Sequence, residues 1–252
     1  MNKIFAVTIS LSFLLLLYQQ LYAQKDKKQS EKRNKQTDQI IINNPEEYAI
    51  QEQIFKMGLK YGDVDLAKSA LAKMIVLNPG NTSLKDSLAM LYFKAGQYAQ
   101  CILVSREIIE NNPNDTIILE LMALSEVNTG YIKAAINDYE KLYSLSKNVL
   151  HLYQIAFLQY QLKRYTECKY TIEQLLADPQ TGLQQINVAS SEKSRQIVPL
   201  KAVVLNMKGV LSMDVNKNDT AKDLFSEALK IFPDFQLAKD NLKLLESKVQ
   251  KN

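Results

Sequence analysis

The chain has 252 residues, 46% apolar and 23% charged, which are globular proportions and exclude a wholly disordered protein. Seven Gly and six Pro are far too few for the many turns of a β-sandwich or barrel, so the composition points to helices. Two Cys and one His exclude a disulfide framework and a Cys/His zinc cluster, while the net charge of +4 raises the question of an acidic partner.

Residues 1–23 have the pattern of a signal peptide. Lys3 precedes a mainly apolar run of 14 residues, Ile4 to Leu17, followed by Gln19 and Gln20. That run fits the apolar core of an export signal and is short of the roughly 20 residues that span a bilayer. Leu21-Tyr22-Ala23 places a small residue before a cut ahead of Gln24, and no Cys follows for lipid attachment. The chain is therefore expected to be exported, to the periplasm first, with an extracellular or cell-surface location as the alternative.

The next stretch, 24–39, has no apolar side chain and carries six cations against three anions. It cannot offset its ordering entropy by burial, and 24–44 reads as a basic disordered linker. Lys3 and this linker account for the whole net charge, so residues 40–252 are neutral. A nucleic-acid partner is not expected. Membrane contact is expected only through the basic tail.

From residue 45 the chain is periodic. Gly62, Gly96 and Gly130 lie 34 residues apart, as do Pro79 and Pro113. A small residue follows each Gly by five positions (Ala67, Cys101, Ala135), and the interval from Ala67 to Pro79 recurs from Cys101 to Pro113 and from Ala221 to Pro233. Between these marks the apolar spacing is helical, as in Ala67-Leu71-Met74 and Ala221-Phe225-Ala228. Gly allows the left-handed residue that ends a helix, while Asn-Pro and the Asn and Asp beside it stop one helix and cap the next. In these marks the sequence resembles the tetratricopeptide-repeat family, whose unit is two antiparallel helices with an Ala-x3-Phe step and a closing Pro.

The resemblance implies an all-α, right-handed solenoid of about five hairpins, near 47–80, 81–114, 115–147, 148–180 and 200–234. A covering helix over 235–248 is expected to turn Phe235, Leu237, Ala238, Leu242 and Leu245 inward. Ala89, Ala123, Ala156 and Gly209 mark close approaches of first helices. The first unit departs with Phe55 at that place and Gly58 nearby, and the fourth with Lys163 in place of the turn Gly. The junction 180–199 is about twenty residues longer than a normal one, and reads as a helix extension, a spacer or a functional insertion.

No catalytic constellation stands out, and no enzyme, cofactor or metal is expected. His151 is alone, and Cys101 and Cys168 occupy small-residue columns as stand-ins for Ala. Asp214-Val215-Asn216-Lys217-Asn218 alternates oxygen ligands like a calcium loop but lacks its Gly and distal Glu, which leaves a capping turn. Asn81, Asn114 and Asn218 match the glycosylation pattern at turns where helix caps belong.

In proteins of this family the first helices line the face that takes ligands. Carried over by column, that face holds Glu52, Lys56 and Leu59, then Asp86, Met90 and Phe93, then Glu120, Leu124 and Val127. It continues as Tyr153, Phe157 and Tyr160, then Asn206, Val210 and Met213. Acidic residues at the places where chaperone-binding members carry Lys and Asn argue against a C-terminal carboxylate clamp. The expected partner-binding groove is Met90, Phe93, Leu124, Val127, Tyr153, Phe157, Tyr160, Val210 and Met213, holding a protein or peptide by apolar side chains. Some of these residues are equally suited to packing between units. The implied role is an interaction scaffold in envelope assembly or secretion; the alternative is a glycan- or nutrient-binding surface accessory.

Overall fold

The computed structural model describes residues 42–189 and 195–249, so the expected signal peptide and nearly all of the basic linker lie outside the described residues. The described chain forms two compact units, which divide between Ser146 and Lys147. In the first, three helix hairpins follow in order: α1 (Pro45–Tyr61) with α2 (Val64–Leu77), α3 (Thr82–Lys94) with α4 (Tyr98–Asn111), and α5 (Thr116–Thr129) with α6 (Ile132–Ser146). The second holds α7 (Val149–Gln161) with α8 (Tyr165–Ala177), a 3-10 turn (Pro179–Gly182), strands β1 (Gln185–Ala189) and β2 (Arg195–Pro199), α9 (Leu200–Asp214) with α10 (Asn218–Ile231), and α11 (Gln236–Val249).

One turn recurs in all five hairpins. Its N–H reaches back five residues to the preceding helix: Asp63 to the Gly58 carbonyl (2.8 Å), Gln97 to Tyr92 (2.9 Å), Tyr131 to Glu126 (2.8 Å), Arg164 to Gln159 (2.9 Å) and Lys217 to Ser212 (2.8 Å). This bond needs a left-handed residue just before it. Gly62, Gly96 and Gly130 supply it at φ 71°, 70° and 81°, and Lys163 and Asn216 supply it at 58° and 60°. The fourth unit therefore keeps the geometry although it lacks the glycine. A left-handed non-glycine residue costs roughly 1–2 kcal/mol, and glycine returns about 0.5–1 kcal/mol through its freer unfolded chain. Lys163→Gly is thus expected to stabilise the second unit by about 0.5–1 kcal/mol, read as a raised melting temperature.

Side-chain caps fix several helix starts. Asn44 accepts from the Glu47 N–H (3.2 Å) ahead of Pro45. Asp63 accepts from Leu66 (3.0 Å), Asp115 from Ile117 and Ile118 (3.2 Å each), and Asn148 from Leu150 (3.0 Å). Asn81 and Asn218 sit at helix starts, as their place in the repeat implies.

The small-residue columns are the innermost positions. Ala67, Cys101, Ala135, Cys168 and Ala221 are fully buried, as are Ala89, Ala123 and Ala156. Gly58 and Gly209 mark the tightest contacts: a Cβ on Gly58 would lie 2.7 Å from the Ala67 backbone nitrogen, and one on Gly209 2.5 Å from the Phe225 ring. Lys68 ties the first hairpin to the second. Its side chain is partly buried, and its ammonium pairs with Asp65 at 2.8 Å, donates to Gln97 Oε1 and lies 5.5 Å from the Tyr92 ring centre.

The long junction is a β-ribbon rather than a helix extension. Strands β1 and β2 pair antiparallel, with Ile186 opposite Val198 and Val188 opposite Gln196. This face turns Val188 and Val198 inward, while Ile197 on the other face is exposed. Leu200 N–H closes the base onto the Gln184 carbonyl (2.8 Å). The Gln196 amide then grips the start of α11, donating to the Asp234 carbonyl (2.6 Å) and accepting from the Gln236 N–H (3.0 Å). Phe235, Ala238 and Leu245 of that last segment are buried, as the helical pattern implies. Asn241 is buried too, and donates to Asn206 Oδ1 at 3.0 Å.

Candidate binding face

The first helices carry the expected groove columns, and the structure divides those columns by depth. Met90, Phe93, Tyr153, Phe157, Val210 and Met213 are each no more than 8% exposed. Phe93 packs with Ala89, Cys101, Ile118 and Leu121, its ring edge-on to Tyr98 at 5.5 Å. Val210 and Met213 join Ala221, Phe225 and Leu245. These six side chains serve the interior, because α3, α7 and α9 are apolar on more than one face and neighbouring helices cover them. Leu124, Val127 and Tyr160 stay partly exposed. The face that a partner can reach is correspondingly narrower than the nine-residue groove.

In the unit of residues 42–146 the accessible part begins at α1, where Leu59 is 51% exposed. Glu52 and Lys56 on the same helix pair at 2.9 Å near the surface, where such a pair contributes at most about 1 kcal/mol. Leu124 and Val127 lie on α5, with Glu120 one turn before Leu124. Burial pushes the Glu120 carboxyl up to about 6.

Deeper between α5 and α6 lies Glu126, 4% exposed, with Oε2 lacking a hydrogen-bond partner among the described residues. Its carboxyl is raised to about 8, first by burial and then by the neighbouring Asp138 carboxylate; Arg106 pulls the other way. Asp138 is also raised, mainly by burial, with its hydrogen bond to Glu126 opposing first and Lys141 and Arg106 after it. Folding therefore holds protons on Glu120 and Glu126 that the unfolded chain releases near pH 4.5. A raised acid loses stability as pH climbs above its unfolded value, until the folded group also ionises. This contribution to the first unit should be complete below about pH 4.5 and fade as pH rises towards 8. Melting curves across that range should show it, and Glu126→Gln should flatten the slope above pH 6.

In the unit of residues 147–249, Tyr160 is the accessible member. Its hydroxyl donates to Asp214 Oδ2 at 2.6 Å, and its ring tilts against Tyr165 at 6.0 Å. Burial and the Asp214 carboxylate push the phenol far up, so it remains a donor at every ordinary pH. Asp214 and Asn216 are thus occupied in a tyrosine contact and a helix-ending turn. Tyr153 Oη and Asn206 Nδ2 are buried polar atoms for which no hydrogen-bond partner exists among the described residues. Sequence reasoning missed the Tyr160–Asp214 and Glu126–Asp138 pairs, since each joins helices whose mutual register no local pattern reveals.

The two thiols are chemically quiet. Burial raises both, Cys168 to about 12, and both are free and fully buried. His151 is buried in α7. Among the described residues no group of three or more His, Cys, Asp or Glu is placed to hold a metal ion, and no helix is long and apolar enough to cross a membrane.

Tandem helix hairpins with these turns and small-residue contacts define the tetratricopeptide-repeat fold, and this chain has it. A crystal structure of the MamA protein matches with TM-score 0.57 at 14% identity, covering 73% of this chain and 91% of that one. YrrB, described as a TPR protein with an unusual peptide-binding site, matches with TM-score 0.57 at 12% identity over 75% of this chain and 88% of that one. MamA from Desulfovibrio magneticus RS-1 matches with TM-score 0.55 at 10% identity, over 73% and 94%. No family model and no curated protein matches the sequence.

Proposed function

We propose that the chain is an exported, non-enzymatic scaffold that binds a protein or peptide partner along the first helices of its hairpins, in envelope assembly or secretion. The observation that carries the binding role is the repeat fold with apolar side chains left within reach on those helices: Leu59, Leu124 and Val127 in the first unit, Tyr160 in the second. YrrB, of the same fold, is described by its peptide-binding site. Apolar anchors of this kind suit an extended or helical peptide. The export role rests on the sequence of residues 1–23.

Alanine at Leu59, Leu124, Val127 and Tyr160 should abolish recovery of the partner crosslinked in whole cells, with helicity unchanged. Undiminished recovery by a folded variant rules out this face. Export is tested separately by sequencing the N-terminus of the fractionated protein, expected at Gln24; an intact Met1 in the cytoplasmic fraction overturns it.

A further inference from the structure

Helix α1 carries an apolar stripe that its own hairpin does not use. Gln51 and Gly58 are buried, and Tyr48 and Phe55 pack on the cluster of Leu71, Met74 and Leu84, so this side of α1 faces α2 and α3. Ile50, Ile54, Met57 and Tyr61 follow one another at spacings of four, three and four, which aligns them along a different side. That side stands about a third of a turn from the buried one and about half a turn from Leu59. Ile50, Met57 and Tyr61 are 52%, 44% and 71% exposed, and Ile54 is half-buried at the inner margin of the stripe. Single apolar residues on a surface are ordinary. Four at this spacing form the kind of seam by which one helix pairs with another.

The polar residues beside the stripe are ordered along it. Glu46 stands at its start, Gln53 midway and Lys60 at its end, seven residues apart and all on one flank. Lys60 Nζ lies 5.4 Å from the centre of the Tyr61 ring, which keeps the ammonium at the seam. A helix so ordered is its own complement when reversed. In two antiparallel copies of α1 centred near Gln53, Ile50 of each meets Ile54 of the other. The same register sets Glu46 beside Lys60 of the other copy and Gln53 beside its own equivalent, and it brings opposite ends of the helix dipoles together. A parallel pair would set Glu46 on Glu46 and Lys60 on Lys60.

We propose that this side of α1 binds a second copy of the chain, giving a twofold dimer through antiparallel α1 helices. The contact uses the same patch on both copies, so it closes on itself and does not propagate. It leaves Leu59 and the rest of the binding face untouched, and dimerisation and partner binding are separate properties. One helix side is smaller than the roughly 800 Å² per partner of a standard interface, so the dimer exchanges with monomer on dilution.

Sedimentation of the full chain should show a dimer at about 100 μM that dissociates on dilution; a monomer at that concentration overturns the proposal. Ile50→Asp/Met57→Asp replaces two exposed side chains, so helicity should be unchanged while association weakens at least about tenfold. A folded variant that associates like the parent overturns the proposal. Glu46→Lys should weaken the dimer several-fold, and adding Lys60→Glu should restore it, a rescue that the antiparallel register alone provides. Failure of that rescue refutes the register. Both native thiols are buried, so Gln53→Cys should crosslink two copies on oxidation, whereas Leu59→Cys should not. Crosslinking through position 59 and not through 53 assigns the dimer to the binding face and equally overturns the proposal.

Discussion

Gly209→Ala is expected to destabilise the unit of residues 147–249 by about 1–2 kcal/mol: overpacking costs about 1–3 kcal/mol, and alanine's helix propensity returns up to about 1. A methyl there would sit 2.5 Å, 2.7 Å and 3.1 Å from three carbons of the Phe225 ring. That ring has no exposed surface and is packed among Val210, Met213, Ala221 and Leu245, so it has no free space to turn into. Phe225→Ala, in turn, empties the same spot and should cost about 3–5 kcal/mol. The two changes share one volume. Combined, they should cost less than the sum, with a coupling of about 0.5–3 kcal/mol, since the alanine methyl meets space where the ring stood. Hydrogen exchange of amides in α9 and α10 reads this unit by itself. Strict additivity would show that the close approach is not the cause.

Punctuation of this kind is what a sequence displays well. A left-handed turn, a helix stop and a close approach each impose a demand on one residue, and Gly62, Asn78-Pro79 and Ala67 answer it locally. Where a non-glycine residue pays the left-handed cost, the pattern fades although the geometry stays, as at Lys163 and Asn216. The β-ribbon shows a second limit. Ile186-Asn187-Val188 and Gln196-Ile197-Val198 alternate as strands do, but what holds the ribbon is Gln196 against residues 234–236, forty positions away. No local pattern contains that contact.

The binding face was the least legible part. Helical spacing assigns Phe93 and Leu124 to equivalent sides of their helices, yet Phe93 is buried and Leu124 is partly open. First helices such as VLHLYQIAFLQYQ are apolar on most sides, so periodicity does not separate the side facing a neighbour from the side facing a partner. Only the packing of the next element decides it. Glu126 carries the same lesson in polar form, because its pKa is raised first by burial between the two helices and then by Asp138 across the hairpin.

Gly58 carries the second large effect, and it differs from Gly209 in what the new methyl would strike. Its neighbours are backbone: the Ala67 nitrogen at 2.7 Å, the Asp63 carbonyl oxygen at 2.9 Å and the Ala67 Cα at 3.0 Å. No rotamer relieves such a contact, and Ala67 offers no side chain worth shortening. α1 and α2 would have to separate, stretching the bond from Asp63 N–H to the Gly58 carbonyl that closes their turn. Gly58→Ala should therefore cost at or above the upper end of the roughly 1–3 kcal/mol range for overpacking, even against the roughly 1 kcal/mol that alanine gains in a helix interior. The loss should fall on α1 and α2 first, as accelerated hydrogen exchange there, with the hairpins of 147–249 unaffected. No second-site truncation at position 67 should rescue it, in contrast to the Gly209–Phe225 pair. A Gly58→Ala chain as stable as the parent would mean that the two helices are free to part at that point. The first hairpin would then lack the rigid closure that the other four share.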